Sequence, residues 1–156
     1  MYERIVIALD GSPLAEQILP HAEALAEKFG STVILVRAIL PVAQVAAMIE
    51  PAAAGVALDP TLIEQTIETE EEEAAGYLNS VATSLRLKGV HLEAEHPEGA
   101  AVDVILDCAR RHQADLIGMT THGRGGLAKL IWGSVSEAVL KQAVCPILLV
   151  RVKSPS

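Results

Sequence analysis

The sequence predicts an open α/β domain in which helices cover both faces of a parallel sheet. Short, near-continuous apolar runs rich in β-branched residues alternate along the chain with longer stretches of helical periodicity. Such runs are typical of strands that a parallel sheet buries on both faces. Strands alternating with helices in this way form a doubly wound sheet with right-handed crossovers. The length, 156 residues, suits one domain, and we expect a single domain over residues 1–156.

The first predicted unit is strand, helix, strand. The apolar runs Arg4 to Asp10 and Thr32 to Ile39 are the strands. Between them, apolar residues recur at helical spacing from Pro13 to Phe29, and Gly30 is a stop signal. This order predicts two parallel strands joined by a crossover helix.

The remaining elements continue the alternation and bring the prediction to five strands and four helices. In chain order they are a helix at Pro60 to Leu87, a strand at Val90 to Glu95, a helix at Ala101 to His112, a strand at Asp115 to Met119, a helix at Ser134 to Gln142 and a strand at Pro146 to Val152. The segment from Pro41 to Pro60 is rich in Ala and Pro without a clean period. We expect a long irregular excursion there, with about one helical turn.

Composition excludes several classes of protein. The net charge of −8 does not favour long-range attraction of polyanions, so we expect no nucleic-acid partner. Charges within the first ten residues do not fit a signal peptide, and no apolar run reaches the length of a membrane span. Cys108 and Cys145 show no paired spacing and are expected to be reduced, buried thiols. We therefore expect a soluble, cytoplasmic protein.

The stretch MTTHGRGGLAKLIWGSVSE, Met119 to Glu137, follows the fourth predicted strand. Its glycines allow backbone N–H groups to converge on an anion, and the next helix adds the unpaired donors of its N-terminus. Ser134 to Glu137 reads as a capping box that starts this helix, and Arg124 and Lys129 can offset phosphate charge. The composition predicts a phosphate site, with the alternative that the glycines only permit tight packing of loop and helix.

Known motifs give little support for catalysis. The P-loop pattern and the G-x-S-x-G elbow are absent, and GRGGLA lacks the context of a dinucleotide fingerprint. The motif contains no nucleophile–base pair and no carboxylate dyad, so we expect a protein that is not an enzyme, with at most slow hydrolysis of bound ATP. Four histidines form no metal spacing among themselves and are assigned to the surface or to helix ends: His21, His91, His96 and His112. We expect no metal ligands on the protein.

Three stretches together resemble the universal stress protein family across nearly the whole chain. They are RIVIALDGS near the start, GAAVDVILDCARRHQAD, and DLIGMTTHGRGGLAKLIWGSVSEAVLKQAVCPILLV. The family signature G-x2-G-x9-G-[ST] reads here as Thr120-x2-Gly123-x9-Gly133-Ser134. The last three positions keep their spacing, and Thr120 replaces the first glycine.

The resemblance implies the adenine nucleotide alpha hydrolase-like, Rossmann-like fold with strand order 3-2-1-4-5 and ATP, with Mg²⁺, at the reversal between strands one and four. Asp10 would meet the ribose or the base edge, and Ala38 would touch adenine through its backbone. The implied nucleotide-binding residues are Ala8, Leu9, Asp10, Ala38, Met119, Thr120, His122, Gly123, Arg124, Gly133, Ser134, Val135 and Ser136, of which the last four would supply phosphate donors.

Several of these residues have structural alternatives. Asp10 could form an Asx turn that caps the first helix, and His122 could hydrogen-bond only its own loop. Thr120 is β-branched and adopts positive φ only at a cost, so we expect a negative φ with its side chain beside the nucleotide. We expect Gly133→Val to abolish ATP binding while the fold survives.

The final strand, about Cys145 to Val152, is too apolar for a bare sheet edge. Because family members typically pair this strand across a two-fold axis, we expect a homodimer. The resemblance favours an ATP-binding stress-response protein that acts as a nucleotide-dependent interaction module toward an unknown protein partner. The alternative is a family member that binds no nucleotide and acts through protein contacts only.

Overall fold

The structure, a computed structural model, describes residues 1–49, 59–121 and 133–152. Its strands are β1 (Arg4–Ala8), β2 (Thr32–Val36), β3 (His91–Glu95), β4 (Leu116–Thr120) and β5 (Ile147–Val150). Its helices are α1 (Leu19–Phe29), α2 (Val42–Ile49), α3 (Pro60–Arg86), α4 (Ala101–Arg111) and α5 (Ser134–Gln142), and a short 3-10 helix, Ala15–Ile18, precedes α1.

The five strands form one parallel sheet in the order β3-β2-β1-β4-β5. In the register, Ile7 lies beside Leu35 on one side and beside Gly118 on the other. The predicted fold class and strand order are confirmed. The chain passes from β1 outward to β2 and β3, then returns to the other side of β1 for β4 and β5, so the order reverses between β1 and β4.

Two apolar cores lie on opposite faces of the sheet because successive strand residues point to opposite sides. Ile5 and Ile7 of β1 pack with α1 and α3, where Leu78 is fully enclosed. Val6 packs on the other face with α4 and with Val139 of α5. Helices therefore cover both faces, as the sequence predicts. Within the described ranges, no helix combines the length and apolar character that crossing a bilayer requires.

The excursion after β2 is more ordered than the sequence indicates. Val42–Ile49 forms a helix of 8 residues where about one turn was expected, because Val45 is buried and alanine-rich sequence favours helix. Residues 50–58 lie outside the described ranges. Asp59 caps α3 by accepting a hydrogen bond from the Thr61 N–H at 2.9 Å, which fixes the helix start at the predicted Pro60.

Candidate functional site

The carboxyl ends of three strands meet at one edge of the sheet. The register pairs Ala8 with Val36 and Ile7 with Gly118. Continued by two residues on the β2 side and by three on the β4 side, it sets Asp10 level with Ala38 and with Thr121. In open α/β sheets, ligands bind beyond the carboxyl ends of strands where the strand order reverses. The crevice between the ends of β1 and β4 is therefore the candidate site.

Asp10 forms the turn that follows β1. Its Oδ1 accepts a hydrogen bond from the Ser12 N–H at 2.8 Å, and the Ser12 hydroxyl oxygen accepts one from the Ala15 N–H at 3.2 Å. This is the Asx turn that the sequence offered as the alternative to ligand binding. One carboxylate oxygen of Asp10 is thus committed to holding the turn, and the carboxylate has a fixed position beside the crevice.

Arg37 supports this turn from the α3 face of the sheet. Gly11 has a φ of +84°, and a Cβ there would lie 2.8 Å from Nη1 of Arg37, so the backbone and the guanidinium are in close contact. Arg37 is only 3% exposed, with Nη2 3.4 Å from Oε1 of Glu73 and its guanidinium carbon 5.3 Å from the centre of the Tyr77 ring. The buried cation thus ties the turn to α3 through an ion pair and a cation–π contact.

Sequence reasoning missed Arg37 because the apolar run around it predicts a buried strand. A lone charge in such a run is a usable signal, since buried charges require partners. Tyr77 belongs to the same cluster. Burial raises the pKa of Tyr77, and the negative charges of Glu16 and Asp10 raise it further. The phenol therefore stays neutral beside the guanidinium at physiological pH.

The start of α5 is hydrogen-bonded to the residue that follows β4. The Gly133 N–H donates to the Thr121 carbonyl oxygen at 2.7 Å. The Ser136 hydroxyl lies 3.2 Å from the same oxygen and 2.9 Å from the Gly133 carbonyl oxygen. A Cβ on Gly133 would lie 2.6 Å from the Thr121 oxygen. Glycine is therefore required here by a backbone contact, which is the packing role that the sequence left as an alternative.

The predicted capping box is wrong. The Gly133 carbonyl oxygen accepts the first helical bond from the Glu137 N–H at 3.0 Å, so Gly133 is the N-cap and Ser134 the first helical residue. A reciprocal box needs the acidic side chain at the third helical position, and that position is Ser136. Glu137 is one residue too far along, and its Oε1 pairs with Nζ of Lys141 at 2.7 Å. That hydrogen bond lowers the pKa of Glu137.

The N-terminus of α5 presents backbone N–H donors to a ligand. The first N–H groups of a helix have no acceptor within it and carry the positive end of the helix dipole. Here they belong to Ser134, Val135 and Ser136, since the Gly133 N–H already has an acceptor. Three N–H groups at a helix start suit an anion such as a phosphate.

The other predicted site residues differ in accessibility. Thr120 ends β4 in extended conformation, so its φ is negative as expected, and it is 7% exposed. The side chains of Ala8, Leu9 and Met119 lie in the cores, and the Leu9 N–H donates to the Val36 carbonyl oxygen at 2.9 Å. Ala38 is half-buried at the end of β2. His122, Gly123 and Arg124 lie outside the described residues.

The fold and the site together define a class: an open, doubly wound α/β protein with a carboxylate turn and a helix N-terminus on either side of its crevice. The universal stress protein family model matches residues 1–151. Universal stress protein MJ0531 of Methanocaldococcus jannaschii is 32% identical over 97% of this chain and 83% of its own length. A universal stress protein of Thermus aquaticus is 32% identical over 97% of this chain and 100% of its own. The chain belongs to the universal stress protein family.

Solved structures share the fold. Hypothetical protein MJ0577 superimposes with a TM-score of 0.85 at 24% identity, covering 99% of both chains. A universal stress protein in complex with cAMP superimposes with a TM-score of 0.60 at 20% identity, and the match covers 97% of this chain and 98% of that one. A universal stress protein family protein from Arabidopsis thaliana with AMP bound superimposes with a TM-score of 0.64 at 18% sequence identity. The match covers 98% of this chain and 95% of that one.

Proposed function

We propose that this protein binds ATP, with Mg²⁺, in the crevice between β1 and β4 and acts as a nucleotide-dependent stress-response module in the cytoplasm. The observation that carries the proposal is the start of α5, where the N–H groups of Ser134, Val135 and Ser136 stand at the reversal of the strand order. Nucleotide complexes of the cAMP-bound and AMP-bound relatives support an adenine nucleotide as the ligand.

Some residues of the crevice would bind the phosphates of such a nucleotide, and others would bind its ribose and base. The N–H groups of Ser134, Val135 and Ser136 would hold phosphate oxygens, with the dipole of α5 favouring the negative charge. Asp10, held by its turn, would accept hydrogen bonds from ribose hydroxyls, because an ionised carboxylate has several lone pairs. The backbone of Ala38 would face the base. We propose no catalytic residue, and the role of the site is to bind.

We further propose a homodimer formed through β5. The sheet order places β5 at an outer edge, and its four residues are all partly exposed. Val144, just before the strand, is 90% exposed, and Leu140 of α5 is 50% exposed. An apolar edge with unpaired backbone groups is suited to pairing with a second copy of itself.

A second candidate function is a family member that acts through protein contacts without a nucleotide. The contact between Gly133 and Thr121 favours it, because packing alone accounts for a signature glycine. Thr120 in place of the first signature glycine points the same way.

Release of nucleotide on denaturation decides between the two functions. The purified protein is unfolded in acid, and the supernatant is separated by anion-exchange chromatography. Adenine nucleotide in amounts approaching one per chain supports the proposed function. If none is released and the protein binds no ATP in calorimetry at millimolar concentration, the second function stands.

A further inference from the structure

A second group of ligating side chains lies away from the crevice, between the edge strand β3 and the end of α4. Glu95 is the last residue of β3, and Cys108 and His112 lie one helical turn apart at the end of α4. One donor atom from each of the three residues lies within 4.8 Å of the other two. We propose that Glu95, Cys108 and His112 bind a Zn²⁺ ion.

The donor set has the chemistry that zinc selects. Zinc binds thiolate, imidazole and carboxylate in tetrahedral sites, with bonds of about 2.0 to 2.3 Å. Such bonds place neighbouring donor atoms about 3.5 Å apart, so the observed spread closes with small side-chain rotations. Three protein ligands leave the fourth position for water. A thiolate disfavours magnesium and calcium, which take oxygen ligands.

A carboxylate lies near the histidine and can orient it. Nδ1 of His112 lies 3.5 Å from Oε2 of Glu93 and accepts a hydrogen bond from Nη2 of Arg4 at 3.1 Å. With Nε2 on the metal, Nδ1 carries the proton, so the hydrogen bond from Arg4 is lost and Nδ1–H donates to Glu93 instead, as in the usual carboxylate–histidine–metal arrangement. Arg4 keeps its ion pair with the other oxygen of Glu93, at 3.3 Å. Glu93 thus acts as a positioning residue.

Arg111 competes with a metal ion for the carboxylate of Glu95, but metal binding displaces only one of its two hydrogen bonds to that carboxylate. Its Nη2 donates to Oε1 of Glu95 at 2.7 Å, and its Nη1 donates to Oε2 at 3.2 Å. Oε2 is also the oxygen facing His112, with Nε2 3.5 Å away. When zinc takes Oε2, Arg111 retains Oε1 and its bond from Nε to Asp107 at 2.9 Å. The carboxylate therefore bridges the metal and the guanidinium.

The charged side chains around the group balance one another. Three carboxylates, of Glu93, Glu95 and Asp107, lie among three guanidiniums, of Arg4, Arg110 and Arg111. Zinc binding releases the thiol proton of Cys108, and the thiolate offsets one of the two charges that the ion brings.

This site departs from the expectation that the histidines take no part in metal binding. The i, i+4 spacing of Cys108 and His112 is visible in the sequence, but no spacing indicates that Glu95, at the end of the predicted third strand, lies beside the end of α4. Both cysteines were expected to be buried; Cys108 is fully buried, whereas Cys145 is only partly buried. The proposal gives the Cys108 thiol a chemical role.

The test uses untagged protein without nucleotide, so it is independent of the proposed function. Titration with Co²⁺ should produce a thiolate-to-cobalt charge-transfer band in the near ultraviolet, and Zn²⁺ should displace it. Cys108→Ser should remove the band, and both Cys108→Ser and His112→Gln should weaken Zn²⁺ binding about 100-fold. Glu93→Gln should weaken it about tenfold. Cys145→Ser and His91→Gln, the matched controls, should bind as the wild type does.

Three results would overturn the proposal: absence of the charge-transfer band in the wild type, its persistence in Cys108→Ser, or its loss in Cys145→Ser. If Cys108→Ser fails to fold, His112→Gln at the end of α4 decides the matter. Wild-type Zn²⁺ affinity in that variant, with native circular dichroism, also counts against the site.

Discussion

Thr121 and Gly133 join the end of β4 to the start of α5 by direct backbone contact. The Gly133 N–H lies 2.7 Å from the Thr121 carbonyl oxygen, the same oxygen that a Cβ on Gly133 would approach to 2.6 Å. The contact with Thr121 thus explains the signature glycine Gly133 without reference to a ligand. This contact argues against the expectation that Gly133→Val leaves the fold intact, because the added side chain must push a strand and a helix apart.

Gly133→Ala should lower the free energy of unfolding by about 1 to 3 kcal/mol, and Gly133→Val by more. Urea unfolding followed by circular dichroism measures this. Gly76→Ala in α3 is the matched control, since nothing lies within 4 Å of a Cβ there, and it should stabilise the protein by up to about 1 kcal/mol. Equal stabilities of wild type and Gly133→Ala would show that the contact relaxes freely.

ATP with Mg²⁺ should bind with a micromolar dissociation constant, roughly −7 to −8 kcal/mol. Ser134→Pro tests the donors, because proline is tolerated at the first helical position but has no N–H. Gly133 before it has φ −67° and ψ 149°, which a following proline accepts. Calorimetry should show affinity reduced about tenfold, the loss of about one hydrogen bond to a charged group, with the melting temperature unchanged. Wild-type affinity in this variant would remove the start of α5 from the site.

Thr120→Gly should change ATP affinity by less than tenfold, under about 1.4 kcal/mol. Thr120 is accommodated in β4 without positive φ, so glycine's conformational freedom is not needed at this position. The measurement is the ratio of the two dissociation constants from parallel titrations. A gain well beyond tenfold would mean that threonine blocks the crevice.

The chain should behave as a dimer in light scattering at micromolar concentration, with about twice its mass of 16.5 kDa. The carbonyls of Pro146 and Val150 face β4, so the alternating N–H of Ile147 faces the open edge. Ile147→Pro at the first strand position should give the monomer mass, because it removes that donor. Ile147→Val retains it and should remain dimeric. A monomeric wild type would contradict the pairing.

Glu95→Gln should destabilise the protein at neutral pH and have progressively less effect in acid. Burial alone would raise the pKa of Glu95, but hydrogen bonds from Arg111, Cys108 and His112 outweigh it and lower the pKa from 4.5 to about 2. The stabilisation is therefore complete above pH 4.5 and is lost as the pH falls toward 2. We expect roughly 1 to 2 kcal/mol in urea unfolding at pH 7, since solvent reaches the ion pair. A difference that persists unchanged to pH 2 would contradict this assignment.

The alternation of strands and helices was readable from the sequence because each element carries its own periodicity. The starts of helices were harder, since the sequence suggests Ser134 as the cap of α5, whereas the hydrogen bond from the Glu137 N–H to the Gly133 carbonyl oxygen makes Gly133 the cap. Contacts between distant elements could not be read at all. Arg37 lies against Gly11 and Tyr77 because β2 is beside β1 and under α3, and no local pattern encodes that arrangement.

The two edges of the sheet differ in a way that limits how copies can associate. The β3 edge presents His91, Glu93 and Glu95, with the carboxylates held in ion pairs, whereas β5 is uniformly apolar. A head-to-tail stack would have to join one kind of edge to the other, burying charge against leucine and valine. In the proposed dimer, self-complementary pairing of β5 with β5 would close after two copies and leave charged edges at both ends. Such pairing would let the chain carry a strongly apolar strand without forming open-ended fibres.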